Sequence, residues 1–168
     1  VRDRVYSALT REYGNKKEVV QHFYHKDTSV PIWAIFEVLT LGEFGNFYSC
    51  LSYGVRREVS IKLGFHQPSD SDAFLTKKII FAIKELRNAV AHNDVIFDTR
   101  FSRSSIDKSL SSSLEIVTGI KSITFKSITD YIILVVYLLK CFGVPKGDMR
   151  RFVAEFQDNI ETLRTQIP

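Results

Sequence analysis

Arg87, Asn88 and His92 are the residues of this chain whose types and spacing could do chemistry. In a helix, residues four apart stack on one side, so Asn88 and His92 fall together. Arg87, about 140° from His92, reaches the same point through its long guanidinium side chain. That grouping suits phosphate chemistry. Cutting RNA through its 2′-hydroxyl needs a base for that proton, an acid for the departing 5′-oxygen, and positive charge on the phosphorane-like transition state. An unperturbed imidazole titrates at about pH 6.5 and suits either proton role. A guanidinium stays charged and presents a fork of donors to phosphate oxygens. One His does not easily fill both roles at once, whereas a two-fold dimer would bring a second Arg87 and His92 into the same cleft with no metal. Taken alone, the spacing is also what a surface Arg and a helix-end His set against the helix dipole would give.

The element that positions these groups is a helix expected from about Asp72 to Ala91, with Asp70 or Ser71 available as its N-cap. Leu75, Ile79, Ala82, Ile83, Leu86, Ala89 and Val90 share one arc, the face expected to pack on a core. The remaining arc collects Ala73, Phe74, Ile80 and Phe81, which a solvated face does not normally hold. Another helix of the same chain or the matching helix of a second subunit must cover them. The expectation adopted is a homodimer through the face carrying Ile80, Phe81 and the motif.

Sparse Gly and Pro punctuate helical periodicity elsewhere, which predicts an all-α bundle of about six to seven helices. The expected helices are Val1 to about Arg11, stopped by Gly14-Asn15; Lys16 to His25; Pro31 to Cys50, with Gly42 and Gly45 marking close packing or a bend; Gly54 to Leu63; Thr124 to Phe142; and Lys146 to Arg164. The serine-rich stretch Arg100 to Ser113 reads as a mobile surface loop or the frayed start of a helix.

With 168 residues, 45% hydrophobic and 25% charged, the chain is expected to form one domain, 1–168. Because it opens on Val1 rather than Met, a fragment of a longer chain is expected. A net charge of +4 leans towards an acidic partner such as nucleic acid. Cys50 and Cys141 form neither a disulfide framework nor a metal-ligand spacing, which fits a reducing, cytoplasmic setting. The apolar run Tyr131 to Leu139 is far shorter than the roughly 20 residues a membrane span needs, so no membrane partner is expected.

Two blocks carry a resemblance. Leu86 to His92, LRNAVAH, resembles the R-N-x-x-x-H signature of HEPN ribonucleases. Pro31 to Tyr48, PIWAIFEVLTLGEFGNFY, is similar to the P-x-W-x-x-x-E-x-L-[ST]-x-G block of Abi-like (abortive-infection) proteins, in the same order and separation. The resemblance spans about Val1 to Phe97. It implies a HEPN-like helical bundle, often dimeric, that cuts RNA without a metal or other cofactor in phage defence or toxin-like growth arrest, with a cognate inhibitor as a possible partner. Arg87 and His92 match the catalytic pair, Asn88 the polar residue after the Arg, and Glu37 the acidic position of the upstream block, as a supporting residue. The sequence departs from the family where members commonly continue with a second His and an Arg; here Asn93-Asp94 follow. A non-catalytic module of the same fold, binding RNA, nucleotide or a protein through the same cleft, is the alternative.

Arg100, Arg103 and Lys84 are the expected substrate-binding cations, with Lys108 beside the first two. Solvated loop charges are the competing reading. His22 and His25 could share a metal by their spacing, but no third ligand is obvious, and no metal is expected. Trp33, Phe44, Phe47 and Tyr48 could stack bases, although aromatics at helical spacing are usually core.

Overall fold

The computed structural model describes residues 2–96, 99, 102 and 106–166. Among them the chain is all helical: α1 (Arg2–Gly14), α2 (Glu18–His25), α3 (Ile32–Val38), α4 (Leu41–Ser49), α5 (Tyr53–Lys62), α6 (Leu75–Ala91), α7 (Lys108–Thr118), α8 (Ile128–Cys141) and α9 (Lys146–Gln166), with one 3₁₀ turn at Gln67–Asp70. These nine exceed the six to seven expected, for two physical reasons. The single helix expected over Pro31 to Cys50 is cut at Thr40, whose hydroxyl accepts from the Glu43 N–H while the Glu43 carboxylate accepts from the Thr40 N–H. That reciprocal capping box starts a new helix. The second addition is α7, which Asp107 caps by accepting from the Ser109 N–H and which buries Leu110, Ser113 and Leu114.

Two hydrophobic clusters result. Leu9, Val20 and Val38 gather α1 to α3. The larger cluster joins Leu75, Ile79 and Ala82 of α6 to Leu110 and Leu114 of α7 and to Tyr131, Leu134 and Tyr137 of α8. Helix α4 ties the two together. Its Tyr48 hydroxyl donates to the Arg56 carbonyl at 3.1 Å, and from α1 Arg11 reaches the Glu43 carboxylate at 2.9 Å. No helix among the described residues is long and apolar enough to cross a membrane.

α6 begins at Leu75 rather than at Asp72, because Ala73 is buried in the left-handed region at φ 55°. Buried Asp70 still acts as an anchor: its carboxylate accepts from the Leu75 N–H at 2.7 Å and from the Ser60 hydroxyl. Likewise α8 begins at Ile128 rather than Thr124, since Asp130 accepts from the Phe125 N–H at 2.8 Å and folds Phe125 into the core.

The Arg11–Glu43 contact predicts a pH dependence. Chiefly through the Arg11 hydrogen bond, the Glu43 carboxyl is lowered from 4.5 to about 2. The stabilisation it gives is therefore complete above the unfolded value near 4.5 and is lost as pH falls towards 2. Allowing for its partial exposure, acidification across that window should cost wild type about 1–2 kcal/mol more than Glu43→Gln. Urea denaturation of both proteins at stepped pH measures this, and parallel losses would remove Glu43 as the cause.

Candidate functional site

The last two turns of α6 carry the motif. His92 is the C-cap, its N–H donating to the Asn88 carbonyl at 3.0 Å. Beyond it, Asn93 sits at φ 55°, its N–H bonded to the Val90 carbonyl, and the Asp94 N–H reaches the Ala89 carbonyl at 2.9 Å. This is a Schellman stop with Asn in the place usually taken by Gly. Asn93-Asp94 thus end the helix immediately after His92.

Arg87 and His92 are exposed and Asn88 is half-buried. Among the described residues none of the three side chains makes a hydrogen bond or ion pair, so all are available to a ligand. Lys84, Asn88 and His92 follow one another at four-residue intervals and form a single tilted row. The Lys84 stem lies 3.6 Å from where a Cβ on Gly42 would stand, and its ammonium sits 5.5 Å from the centre of the Phe81 ring.

The core arc holds over most of its length. Leu75, Ile79, Ala82 and Ala89 are buried, and Ile83 and Leu86 pack against the cluster. Val90 is the correction, being 57% exposed. Its angle groups it with Ile79 and Ile83, yet among the described residues it is left uncovered while neighbouring Ala89 is buried. On the other arc, Ile80 and Phe81 meet α4 of the same chain at Gly45. Gly45 lies opposite Ile80 and Phe81, and Gly42 opposite Lys84, so α4 runs antiparallel to α6. Its N-terminal end points towards Arg87 and Asn88. The strip of α6 that α4 covers therefore emerges from beneath α4 as the motif.

The structure does not add Glu37 to this group by any bond. It is exposed on α3, beside exposed Trp33 and Phe36. Arg100 and Arg103 lie outside the described residues. Lys108 is exposed at the start of α7. His22 and His25 are exposed on α2, with their rings against Phe23 and Tyr13.

Sequence reasoning missed two tethers beside the motif helix. Glu85 accepts from the Ser102 hydroxyl at 3.1 Å, and Lys78 meets the Asp107 carboxylate at 3.2 Å and the Ser109 hydroxyl at 2.9 Å. Both link α6 to the chain that follows the motif, around a cavity of about 340 Å³ lined in part by Lys78, Phe81, Glu85 and Asp107. Charged residues one or two turns before the motif were the only available signal.

The fold and site define an all-helical protein with an Arg-Asn and a His displayed at an open helix end. A family model described as Abi-like protein matches residues 2–98, more than half of the chain, and the chain belongs to that family. Membership points to abortive infection, a phage-defence response. No curated protein and no solved structure matches the chain.

Proposed function

We propose that this chain is a metal-independent endoribonuclease of HEPN type, acting in the cytoplasm in abortive infection. The observation that carries the reading is the exposed helix end on which Arg87, Asn88 and His92 stand together with no partner of their own among the described residues. Exposed and unbonded among the described residues, Arg87 and His92 can meet a substrate phosphate without first breaking an ion pair or hydrogen bond.

In this reading His92 takes the proton of the 2′-hydroxyl or returns one to the departing 5′-oxygen. Arg87 holds the phosphate oxygens as their charge grows, and Asn88 orients the substrate or His92. The 2′-oxygen forms a bond to phosphorus as the 5′-oxygen leaves, giving a 2′,3′-cyclic phosphate and a 5′-hydroxyl. Lys84, next in the row, adds positive charge along the strand. A second copy supplies the other His92. Since α4 already meets Ile80 and Phe81, that copy would approach the exposed motif end, where Val90 stands uncovered.

The test is incubation of purified protein with a labelled structured RNA in EDTA. Fragments ending in 2′,3′-cyclic phosphate support the reading. A folded protein that binds the RNA and leaves it whole supports the alternative, a binding module using the same surface.

A further inference from the structure

The cavity of about 340 Å³ beside α6 lies in line with the motif. Phe74, Lys78, Phe81 and Glu85 line it, and Asn88 and His92 follow them at the same alternating spacing. At about 100° per residue, all six fall within an arc of about 80°. Lys84 stands between cavity and motif, half-buried, its ammonium 5.5 Å from the centre of the Phe81 ring and without an ion partner among the described residues. A strand bound at the motif can therefore run along α6 into the cavity. From Phe81 to Asn88 and His92 is about 10–16 Å along the helix, which a stacked strand advancing about 3.4 Å per nucleotide crosses in about three to five nucleotides.

The walls say what kind of group fits. Phe74, Phe81 and Ile106 give apolar surface. Most of the charge around them is already engaged: the Lys78 ammonium meets Asp107 at 3.2 Å, and Asp72 accepts from the Phe74 N–H at 3.1 Å. Glu85 is the exception. It is half-buried and has no cation beside it among the described residues, where its carboxylate accepts only from the Ser102 hydroxyl. A carboxylate offers about four acceptor sites, so most of that capacity is unused. A phosphate would be repelled there, whereas a flat heterocycle bearing N–H donors would meet both the apolar surface and the acceptor. The size agrees, since about 340 Å³ lies at the small end of the range for ligand pockets, roughly 300–1,000 Å³. Among the RNA bases, guanine sets two N–H donors, at N1 and N2, side by side on its Watson–Crick edge, matched to the two oxygens of a carboxylate.

We infer that this cavity is a base-reading subsite for guanine. The base lies about three to five nucleotides from the scissile phosphate, Glu85 accepts from its N1–H and N2–H, and Lys84 holds a phosphate of the strand between. The inference rests on the proposed RNA-cutting reaction, to which it adds selectivity for sequence.

Binding tests it separately from cutting. Fluorescent RNAs about 12 nucleotides long, enough to span cavity and motif, are titrated in EDTA against the whole chain carrying His92→Ala. One is all uridine; the others carry one central guanine or adenine. Guanine should tighten binding at least about fivefold over uridine, the lower end for a bidentate base contact, and adenine should not match it. Glu85→Gln, whose amide oxygen can still accept from Ser102, should abolish the preference and leave the uridine oligomer bound within about twofold of its parent. Lys84→Gln should weaken all three oligomers alike and reduce the salt slope by about 0.7. Equal binding of guanine and uridine, an equal gain from adenine, a preference that survives Glu85→Gln, or no binding of any oligomer would overturn the inference. Guanine-selective binding through Glu85 by a wild type that never cuts would refute the reaction alone. Cutting with no guanine preference in binding would refute the subsite alone.

Discussion

Replacing His92 with Ala is expected to abolish RNA cutting and leave the fold intact. Proton transfer by a positioned side chain contributes roughly 100- to 10,000-fold to rate, and a composite site that loses both imidazoles loses base and acid together. The expected fall is therefore at least 1,000-fold, on the order of the upper part of that range. Stability should move by no more than about 0.5 kcal/mol, because the imidazole is exposed and unbonded among the described residues. The backbone N–H that bonds to the Asn88 carbonyl survives the change. His25→Ala, another exposed imidazole on α2, serves as the control and should cut normally. Initial rates on labelled RNA in EDTA, with thermal unfolding alongside, measure both halves. Equal cutting by wild type and His92→Ala would end the proposed mechanism.

The motif was legible because it lies on one regular element. Arg87, Asn88 and His92 sit where a 3.6-residue repeat places them, and the buried residues Leu75, Ile79, Ala82 and Ala89 follow the same repeat. Val90 shows the limit of that reasoning: periodicity gives a direction, while burial needs a neighbour to be there. The cut between α3 and α4 was written locally as Thr40 followed three residues later by Glu43. The apolar run on both sides hid it, because a continuous apolar pattern favours one long helix. In α7 the low helix propensity of serine concealed Leu110, Leu114 and Val117 at helical spacing, and buried Ser113 is there for its oxygen, which accepts from the His66 N–H. The Glu85–Ser102 and Lys78–Asp107 tethers join residues 17 and 29 positions apart, through side chains on which local pattern says nothing.

Gly45→Val is expected to destabilise the fold by about 3 kcal/mol and to reduce cutting without touching the motif. A Cβ at position 45 would stand 2.8 Å from Phe81 Cε2 and 3.2 Å from Ile80 Cγ2. With Ile80 and the ring both in the way, relief requires the two side chains to move together or α4 and α6 to separate. The covered strip of α6 runs on into Arg87 and Asn88, so a shift of α4 reaches the site through the helix that carries it. Leu lacks the ring atoms that make the contact. Phe81→Leu should therefore recover part of the loss, giving a coupling of about 1–2 kcal/mol in a double-mutant cycle measured by urea denaturation. Strictly additive losses would mean that the contact is not what requires Gly at this position. If coupling and cutting recover together, close approach of α4 is what links the two blocks of the family: the upstream block shapes the surface from which the motif emerges.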